Sequence, residues 1–282
     1  RLAKIDAVLR QPSDSNPHHH HYHVRLYCSI EDRLHGCLER GDSHPWIDHG
    51  EERFKERVRQ LTSLLSMEQT KWRHAGVKRL GELRAVEAIG PLMKSAEDSS
   101  QRVALASLDA IGNLAHPDAF PLLTALLRRT VDSKRVIGIL EAMLRIELPE
   151  LEQSTLAFLQ RVEAGKYAQT KSAKRDLRIK ALEILQRFGR KESFNTVLGY
   201  LEHDDPKLLS AVHRTLRRIT NQPIKGRFKS PRQRSSLRAK WHAFRDKHQA
   251  KSWSDWIRLG FLARGVKLNA GDDANHPLWV QQ

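Results

Sequence analysis

Leu80-Gly81-Glu82-Leu83 and Ile111-Gly112-Asn113-Leu114 are the two stretches that decide the fold of this chain. They are copies of one pattern, and their glycines stand thirty-one residues apart. The same interval separates Glu87-Ala88 from Asp118-Ala119, and a weaker third copy begins at Lys191. An interval of this length, built from paired amphipathic helices, is typical of a stacked α-solenoid.

Apolar residues recur at the spacing of a helix within these repeats. One such stripe consists of Val103, Ala106, Ala110, Ile111 and Leu114. A stripe of this kind packs one face of a helix against its neighbours. Turn signals such as His116-Pro117-Asp118 separate the stripes, since proline is tolerated in the first turn of a helix. The sequence therefore predicts an all-α fold, an α-solenoid of stacked antiparallel helix pairs, with about ten to twelve helices from Glu51 to Arg264.

The segment from Trp72 to Leu127 resembles a HEAT repeat. Its motif is Ala85-Val86-Glu87-Ala88-Ile89-Gly90-Pro91-Leu92, followed by Asp98 and then by Arg102-Val103-Ala104-Leu105-Ala106-Ser107-Leu108. More narrowly, these residues resemble the bacterial HEAT-like repeats of the phycobilisome-lyase type, and the resemblance is looser from Val131 to Thr220. It implies a fold and a mode of binding rather than a reaction, because solenoids have many functions.

The positive charge of the chain is concentrated in its last third. Residues 166–267 contain 26 Lys and Arg against 8 Asp and Glu, whereas residues 1–165 contain 23 of each. The formal net charge of the whole chain is +16. A positive field confined to one region indicates an anionic partner: a nucleic acid, an acidic protein surface or a membrane surface.

Two neighbouring segments carry the cations of this region. Arginines share a polar face with His213 on the predicted helix from Pro206 to Thr220, and residues 221–235, which lack periodicity, are predicted to form a mobile cationic loop. The candidate partner-binding residues are Arg214, Arg217, Arg218, Lys225, Arg227, Lys229, Arg232, Arg234 and Arg238. Arginines bind carboxylates and phosphates through paired hydrogen bonds. A solvated linker without a partner, self-assembly and membrane contact are the alternatives.

Four of the six tryptophans follow residue 220, which also suits the stacking of single-stranded nucleic acid on aromatic side chains. Their spacing favours packing instead. Two apolar faces at helical spacing are formed by Leu237, Trp241, Phe244 and His248, and by Trp253, Trp256, Ile257 and Phe261. We expect two capping helices that cover the last exposed face of the solenoid. Trp279 is expected to dock on the solenoid or on another chain.

The chain divides into three parts on these criteria. We assign residues 1–50 to an N-terminal helix and a His-rich loop, and residues 51–220 to the HEAT-like solenoid. Residues 221–282 are assigned to the basic loop, the tryptophan-containing capping helices and the tail.

The N-terminal part contains weak candidates for metal ligands. They are His18, His20, His23, Cys28 and Cys37. Zinc sites place their ligands in closely spaced pairs, and the sequence has no pair of cysteines separated by two residues. We therefore expect no metal site and no cofactor, and only adventitious metal binding by the histidines.

The sequence also argues against catalysis and against a membrane span. HEAT-like iron hydroxylases carry His-Glu dipeptides as ligands, and this chain has none; glycine-rich phosphate loops are absent too. No apolar run approaches the roughly 20 residues that span a bilayer. Two cysteines favour a reducing, cytoplasmic location. Because the first residue is Arg1 rather than Met, we expect a trimmed or processed start, so the location is predicted from the cysteines alone.

These observations predict a non-catalytic HEAT-repeat scaffold or adaptor. We expect it to bind a protein partner, in particular an acidic surface, through its C-terminal third and within a larger assembly. The alternative is a HEAT-like protein that binds nucleic acid through the same basic residues. The slope of affinity against salt separates the two, since contacts with phosphates release counterions.

Overall fold

A computed structural model describes residues 51–167 and 170–266, and all structural statements below concern these ranges. The described part contains twelve α-helices and three short 3-10 helices, without a strand. The α-helices are α1 (Glu51–Ser63), α2 (Thr70–Glu82), α3 (Ile89–Ser95), α4 (Gln101–Leu114), α5 (Ala119–Arg129), α6 (Ser133–Ile146), α7 (Leu151–Glu163), α8 (Lys171–Phe188), α9 (Lys191–Gly199), α10 (Pro206–Thr220), α11 (Pro231–His248) and α12 (Trp253–Leu262). The 3-10 helices are Leu64–Ser66, Val86–Ala88 and Tyr200–Glu202.

The helices form two layers. Helices α2, α4, α6, α8 and α10 pack on one another in chain order, and α12 packs on α10. Helices α3, α5, α7 and α9 form the second layer, each against the partner that follows it in the chain. This arrangement is an all-α solenoid of stacked helix pairs, as the repeats predicted.

The repeated glycines explain why the even-numbered helices pack so closely. A Cβ atom on Gly81 would lie 2.8 Å from the Cβ atom of Ala110, and one on Gly112 would lie 3.1 Å from the Cα atom of Ala142. Glycine therefore allows α2 to approach α4, and α4 to approach α6, with backbone nearly in contact. We call the layer of even-numbered helices the inner layer and the layer of odd-numbered helices the outer layer.

Aspartates cap the N-termini of two even-numbered helices, α6 and α10. The Asp132 carboxylate accepts a hydrogen bond from the Arg135 backbone N–H over 2.8 Å, and Asp205 accepts one from Lys207 over 2.8 Å. Such N-caps satisfy donors that the first helical turn leaves unpaired. Asp98 has a further role, since it pairs with the Arg73 guanidinium of α2 at 2.7 Å and so ties adjacent repeats together.

An aromatic cluster closes the C-terminal end of the stack. The rings of Phe194 on α9 and Trp256 on α12 lie 4.9 Å apart, and Trp241 on α11 lies 6.4 Å from Phe194. Trp241 and Trp256 are almost completely buried. These tryptophans pack in the core, which confirms the predicted helical cap.

The segment between α10 and α11 is docked on the core. Gln222 is buried and donates to the Trp256 carbonyl over 3.0 Å, and Phe228 packs against the core cluster. Helix α11 begins at Pro231, where the Ser230 side chain forms a capping box with Gln233. The prediction of a loop over 221–235 is therefore wrong for its last five residues, which are helical, while residues 221–230 have no regular secondary structure and are held by the Gln222 hydrogen bond and by Phe228.

Two further predictions concern the terminal segments and the absence of a membrane span. The N-terminal helix, the His-rich segment and Trp279 lie outside the described residues. Among the described helices, none combines the length and the apolar character that crossing a bilayer requires.

Candidate partner-binding groove

A groove opens on the inner layer at the C-terminal end of the solenoid, between α8, α10 and the end of α12. Its volume is about 470 Å³. It is lined by Gln186, Arg214, Arg217, Arg218, Asn221, Phe261, Arg264 and Val266. We call it the arginine groove, since four of these eight residues are arginines.

The periodicity of α10 places three of the arginines in the groove. The buried face of this helix consists of Leu208, Leu209, Val212, Leu216 and Ile219, all almost inaccessible to solvent. Arg214, Arg217 and Arg218 lie on the opposite side, where their stems leave the core and their guanidinium groups line the groove. This is the outward stripe that the apolar spacing of the sequence predicted.

Asn221, at the end of α10, contacts α12 and positions Arg264, the fourth arginine of the groove. Its backbone is left-handed, with φ of 56°, which ends α10. Its side-chain amide donates to the Ile257 carbonyl over 2.9 Å, and its Oδ1 accepts from Arg264 over 2.6 Å. A Cβ atom on Gly260 would lie only 2.1 Å from the Asn221 carbonyl oxygen, so α12 fits there because residue 260 is glycine.

Arg264 was not among the predicted contact residues. It follows the last apolar stripe of the sequence, and nothing in the local pattern indicates that α12 returns to the inner layer beside α10. The neighbouring Gly260 is the one local signal, since glycine inside a helix often marks a close approach of two backbones.

The arginine groove differs in charge from the rest of the inner layer. Arg145 on α6 lies 2.6 Å from Asp109 on α4, and Lys180 on α8 lies 3.0 Å from Glu141 on α6. No acidic side chain of the described ranges lines the arginine groove. Within those ranges, Arg214 and Arg217 also have no ion pair or side-chain hydrogen bond of their own. These two guanidinium groups are therefore available to an anion from outside the chain.

His213 does not belong to this polar face, although the sequence placed it there. It is buried, and its Nδ1 accepts a hydrogen bond of 3.1 Å from the Trp241 indole N–H. Burial, followed by the charges of Arg217 and Lys240, lowers the pKa of His213 to about 4. The imidazole is thus neutral near pH 7 and acts as a hydrogen-bond acceptor within the core.

The other six predicted contact residues do not line the groove. Lys225, Arg227, Lys229 and Arg232 are exposed on the connection to α11 and on its first turn. Arg234 lies 3.1 Å from Asp204, and Arg238 donates to the Leu201 carbonyl over 2.6 Å. Those last two arginines fix α11 to the turn before α10. The nine predicted contact residues thus fall into three groups: three line the groove, four are exposed, and two hold α11 in place.

Trp241, Trp253 and Trp256 do not line the groove. Trp241 and Trp256 are buried, and the Trp253 indole donates to the Ile219 carbonyl over 2.8 Å. Because they are buried, Trp241 and Trp256 offer no free face for stacking bases. In the described ranges no group of three or more His, Cys, Asp or Glu could hold a metal ion. The weak metal candidates His18, His20, His23, Cys28 and Cys37 lie outside them.

Comparison with known families agrees with this geometry. Residues 58–143, which span most of α1 to α6, match the family model of HEAT repeats. The chain contains HEAT repeats. HEAT repeats generally act as scaffolds for protein–protein interaction, and their fold is typically non-catalytic. The match does not reach the narrower phycobilisome-lyase type, which stays a prediction. Among curated proteins, none matches the chain.

Proposed function

We propose that this HEAT-repeat protein is a non-catalytic scaffold that binds an acidic segment of a partner protein in the arginine groove, within a larger assembly. One observation carries the proposal: four arginines from α10 and the end of α12 line one cavity that no described carboxylate lines. Two other cations of the inner layer, Arg145 and Lys180, are paired with acids of the adjacent helix. The exposed cations Lys225, Arg227, Lys229 and Arg232 are proposed as a second, outer contact.

Nucleic acid remains the second proposal of the sequence, but no observation favours it. Trp241, Trp253 and Trp256 are engaged in packing, and single-strand binding needs exposed aromatic faces beside the cations. A cytoplasmic location is likewise proposed only from the two cysteines of the sequence.

A charge-reversal variant with a matched control tests the proposed site. We expect Arg214→Glu/Arg217→Glu to weaken the binding of a fluorescent polyglutamate peptide about tenfold or more, because reversal replaces attraction by repulsion at the contact. The control is Lys94→Glu/Arg128→Glu, which changes the net charge equally at exposed positions on the outer helices α3 and α5. Its affinity should stay within about twofold of the unmodified protein. Fluorescence anisotropy measures both.

Three outcomes would contradict the proposal. The first is equal loss in both variants, which would mean that overall charge alone attracts the peptide. The second is unchanged affinity in the groove variant. The third is tight binding of single-stranded DNA without binding of polyglutamate, with an affinity that falls about 10³-fold or more between about 50 and 200 mM salt. That result would favour nucleic acid as the ligand.

A further inference from the structure

The connection between α10 and α11 contains a short extended segment. It runs without a helix, a turn or a bend over residues 221–228. Side chains alternate in exposure along its second part, residues 224–229, which we call the basic strip. The exposed positions are all cations: Lys225, Arg227 and Lys229. Such alternation is the geometry of a β-strand that packs one face on a core.

The other face of the basic strip lies on the core and on α11. Ile224 and Phe228 pack against the core cluster. A Cβ atom on Gly226 would lie 2.3 Å from Cδ1 of Leu237, so the backbone runs directly over that leucine. The inner face is thus fixed, and the three cations are held on the outer face.

One backbone edge of the basic strip is joined to α11. The Lys225 carbonyl accepts a hydrogen bond of 3.1 Å from Lys240 Nζ, and the Lys229 N–H donates to Gln233 Oε1 over 3.1 Å. Gln233 and Lys240 are seven residues apart, which places them on the same side of the helix. Backbone groups of successive residues in an extended chain point to opposite edges. The backbone groups of Lys225, Arg227 and Lys229 therefore point toward α11.

The opposite backbone edge has no partner in the described part of the chain. It belongs to Ile224, Gly226 and Phe228, whose N–H and C=O groups have no hydrogen bond to any described residue. Gly226 is partly exposed, and a glycine exposes only backbone. Backbone groups that are unpaired within a protein bind water or a strand that adds to the edge. The basic strip is therefore open along one side.

We propose that an acidic segment of the partner protein binds the basic strip as an added β-strand. Its backbone pairs with that of Gly226 and Phe228, and acidic side chains at every second residue face the three cations. Residues i and i+2 of a strand are about 7 Å apart on one face, so this acidic pattern matches the spacing of Lys225, Arg227 and Lys229. The inference rests on the proposed function, since it specifies how the outer contact holds the partner.

An extended segment fits the basic strip better than an acidic helix does. A helix satisfies its own backbone hydrogen bonds, so it would leave the open edge of the strip unpaired. Among the described residues, Lys225, Arg227 and Lys229 have no ion pair, so their charges are available to the added strand. Main-chain hydrogen bonds and alternate charges thus act on the same partner segment.

Two peptides of equal charge and composition test the inference. In the alternating peptide, three glutamates are separated by valines, with a threonine at each end; in the block peptide, the three glutamates are adjacent. We expect the alternating peptide to bind about tenfold more tightly in fluorescence anisotropy, because it alone places every acid on one face of a strand. Equal affinity for the two peptides overturns the added strand.

Methylation of single amides of the alternating peptide separates strand addition from charge attraction. An N-methyl group removes one backbone donor, and only every second amide of an added strand points toward the protein. We expect methylation at those alternate positions to weaken binding about tenfold or more, and methylation at the positions between them to change it less than about threefold. A uniform response along the peptide contradicts strand addition.

Charge-reversal variants locate the bound peptide. Arg227→Glu should weaken binding of the alternating peptide about tenfold or more, whereas the control Lys94→Glu on α3 should stay within about twofold. Circular dichroism confirms that both variants are folded. If Arg214→Glu/Arg217→Glu abolishes binding and Arg227→Glu does not, the peptide lies in the arginine groove and the added strand is wrong.

The outcomes also separate this inference from the proposed function. If the two peptides bind equally and polyglutamate binding still depends on Arg214 and Arg217, the added strand is wrong and the arginine groove stands. If the alternating peptide shows the expected pattern and polyglutamate binding does not depend on those two arginines, the basic strip stands and the arginine groove is wrong.

Discussion

His213 is the residue at which the arginine groove and the core meet. Its side chain accepts the Trp241 indole N–H inside the core, while Arg214 and Arg217, on the same helix, face the groove. Sequence periodicity assigned His213 to the polar face together with the arginines. A helix position at the edge of the apolar stripe can face either way, and the partner that decides it, Trp241, lies 28 residues further along the chain.

The titration of His213 makes stability depend on pH. Its pKa is about 4 in the folded chain, below the ordinary value of 6.5, so the unfolded chain binds the proton more readily. Unfolding free energy should therefore rise as the pH increases from about 4 to about 6.5, and be lost in the opposite direction. We expect His213→Gln to remove about 1–3 kcal/mol of this dependence.

Urea unfolding at several pH values measures this effect. The unmodified protein and His213→Gln are compared at each pH, so that the titration of other groups, such as His203 and His248, cancels in the difference. A difference in unfolding free energy that does not change between acidic and neutral pH would show that His213 is not the titrating group.

At the scale of the element, the junction between α10 and α12 forms the groove. Gly260 allows α12 to approach Asn221, and Asn221 in turn holds Arg264. We expect Gly260→Ala to destabilise the protein by about 1–3 kcal/mol, because the added methyl group has to push α12 away from a backbone carbonyl. The same shift moves Arg264, so peptide binding in the groove should weaken as well.

Gly199→Ala is the matched control for this junction. A Cβ atom at Gly199, the last residue of α9, meets nothing within 4 Å. Alanine there should be neutral or stabilise the protein by about 0.5–1 kcal/mol, with unchanged binding. Urea unfolding and peptide titration of both variants decide the point. Equal stability of the two variants would mean that α12 adjusts freely and that the junction does not set the groove.

Local patterns predicted the elements well and their packing only in part. The glycine repeat and the apolar stripes gave the solenoid, because both depend on neighbours within one helix pair. They placed Arg214, Arg217 and Arg218 on one outward face. They did not predict that Arg264 lines the groove or that residues 221–230 dock on the core. Both depend on contacts with α11 and α12, and the residues in these contacts have no fixed spacing in the sequence.

At the scale of the whole molecule, the main contacts of each helix pair in residues 51–167 and 170–266 are with the neighbouring pairs. Removing α11 and α12 by ending the chain at Thr220 should expose Phe194 and the face of α9 and α10 that Trp241 and Trp256 now cover. In a solenoid, the lost interface affects the adjacent repeat most. We expect amide exchange to accelerate about tenfold or more in α9 and α10, and to stay unchanged in α2 to α5.

Hydrogen exchange followed by mass spectrometry resolves these regions in one experiment, and the N-terminal helices serve as the internal control. Uniform acceleration along the chain would show that the solenoid unfolds as a single cooperative unit and that α11 and α12 are more than a local cap.

The close backbone approaches of the inner layer have a mechanical consequence. With Gly81 against Ala110 and Gly260 against Asn221, the inner side of the stack has almost no room to compress, so the solenoid bends mainly by opening that side. The arginine groove crosses the final joint, with Arg217 on one side and Arg264 on the other. An anion bound to both arginines would connect α10 to the end of α12. Binding of the partner would therefore make the C-terminal end of the solenoid stiffer.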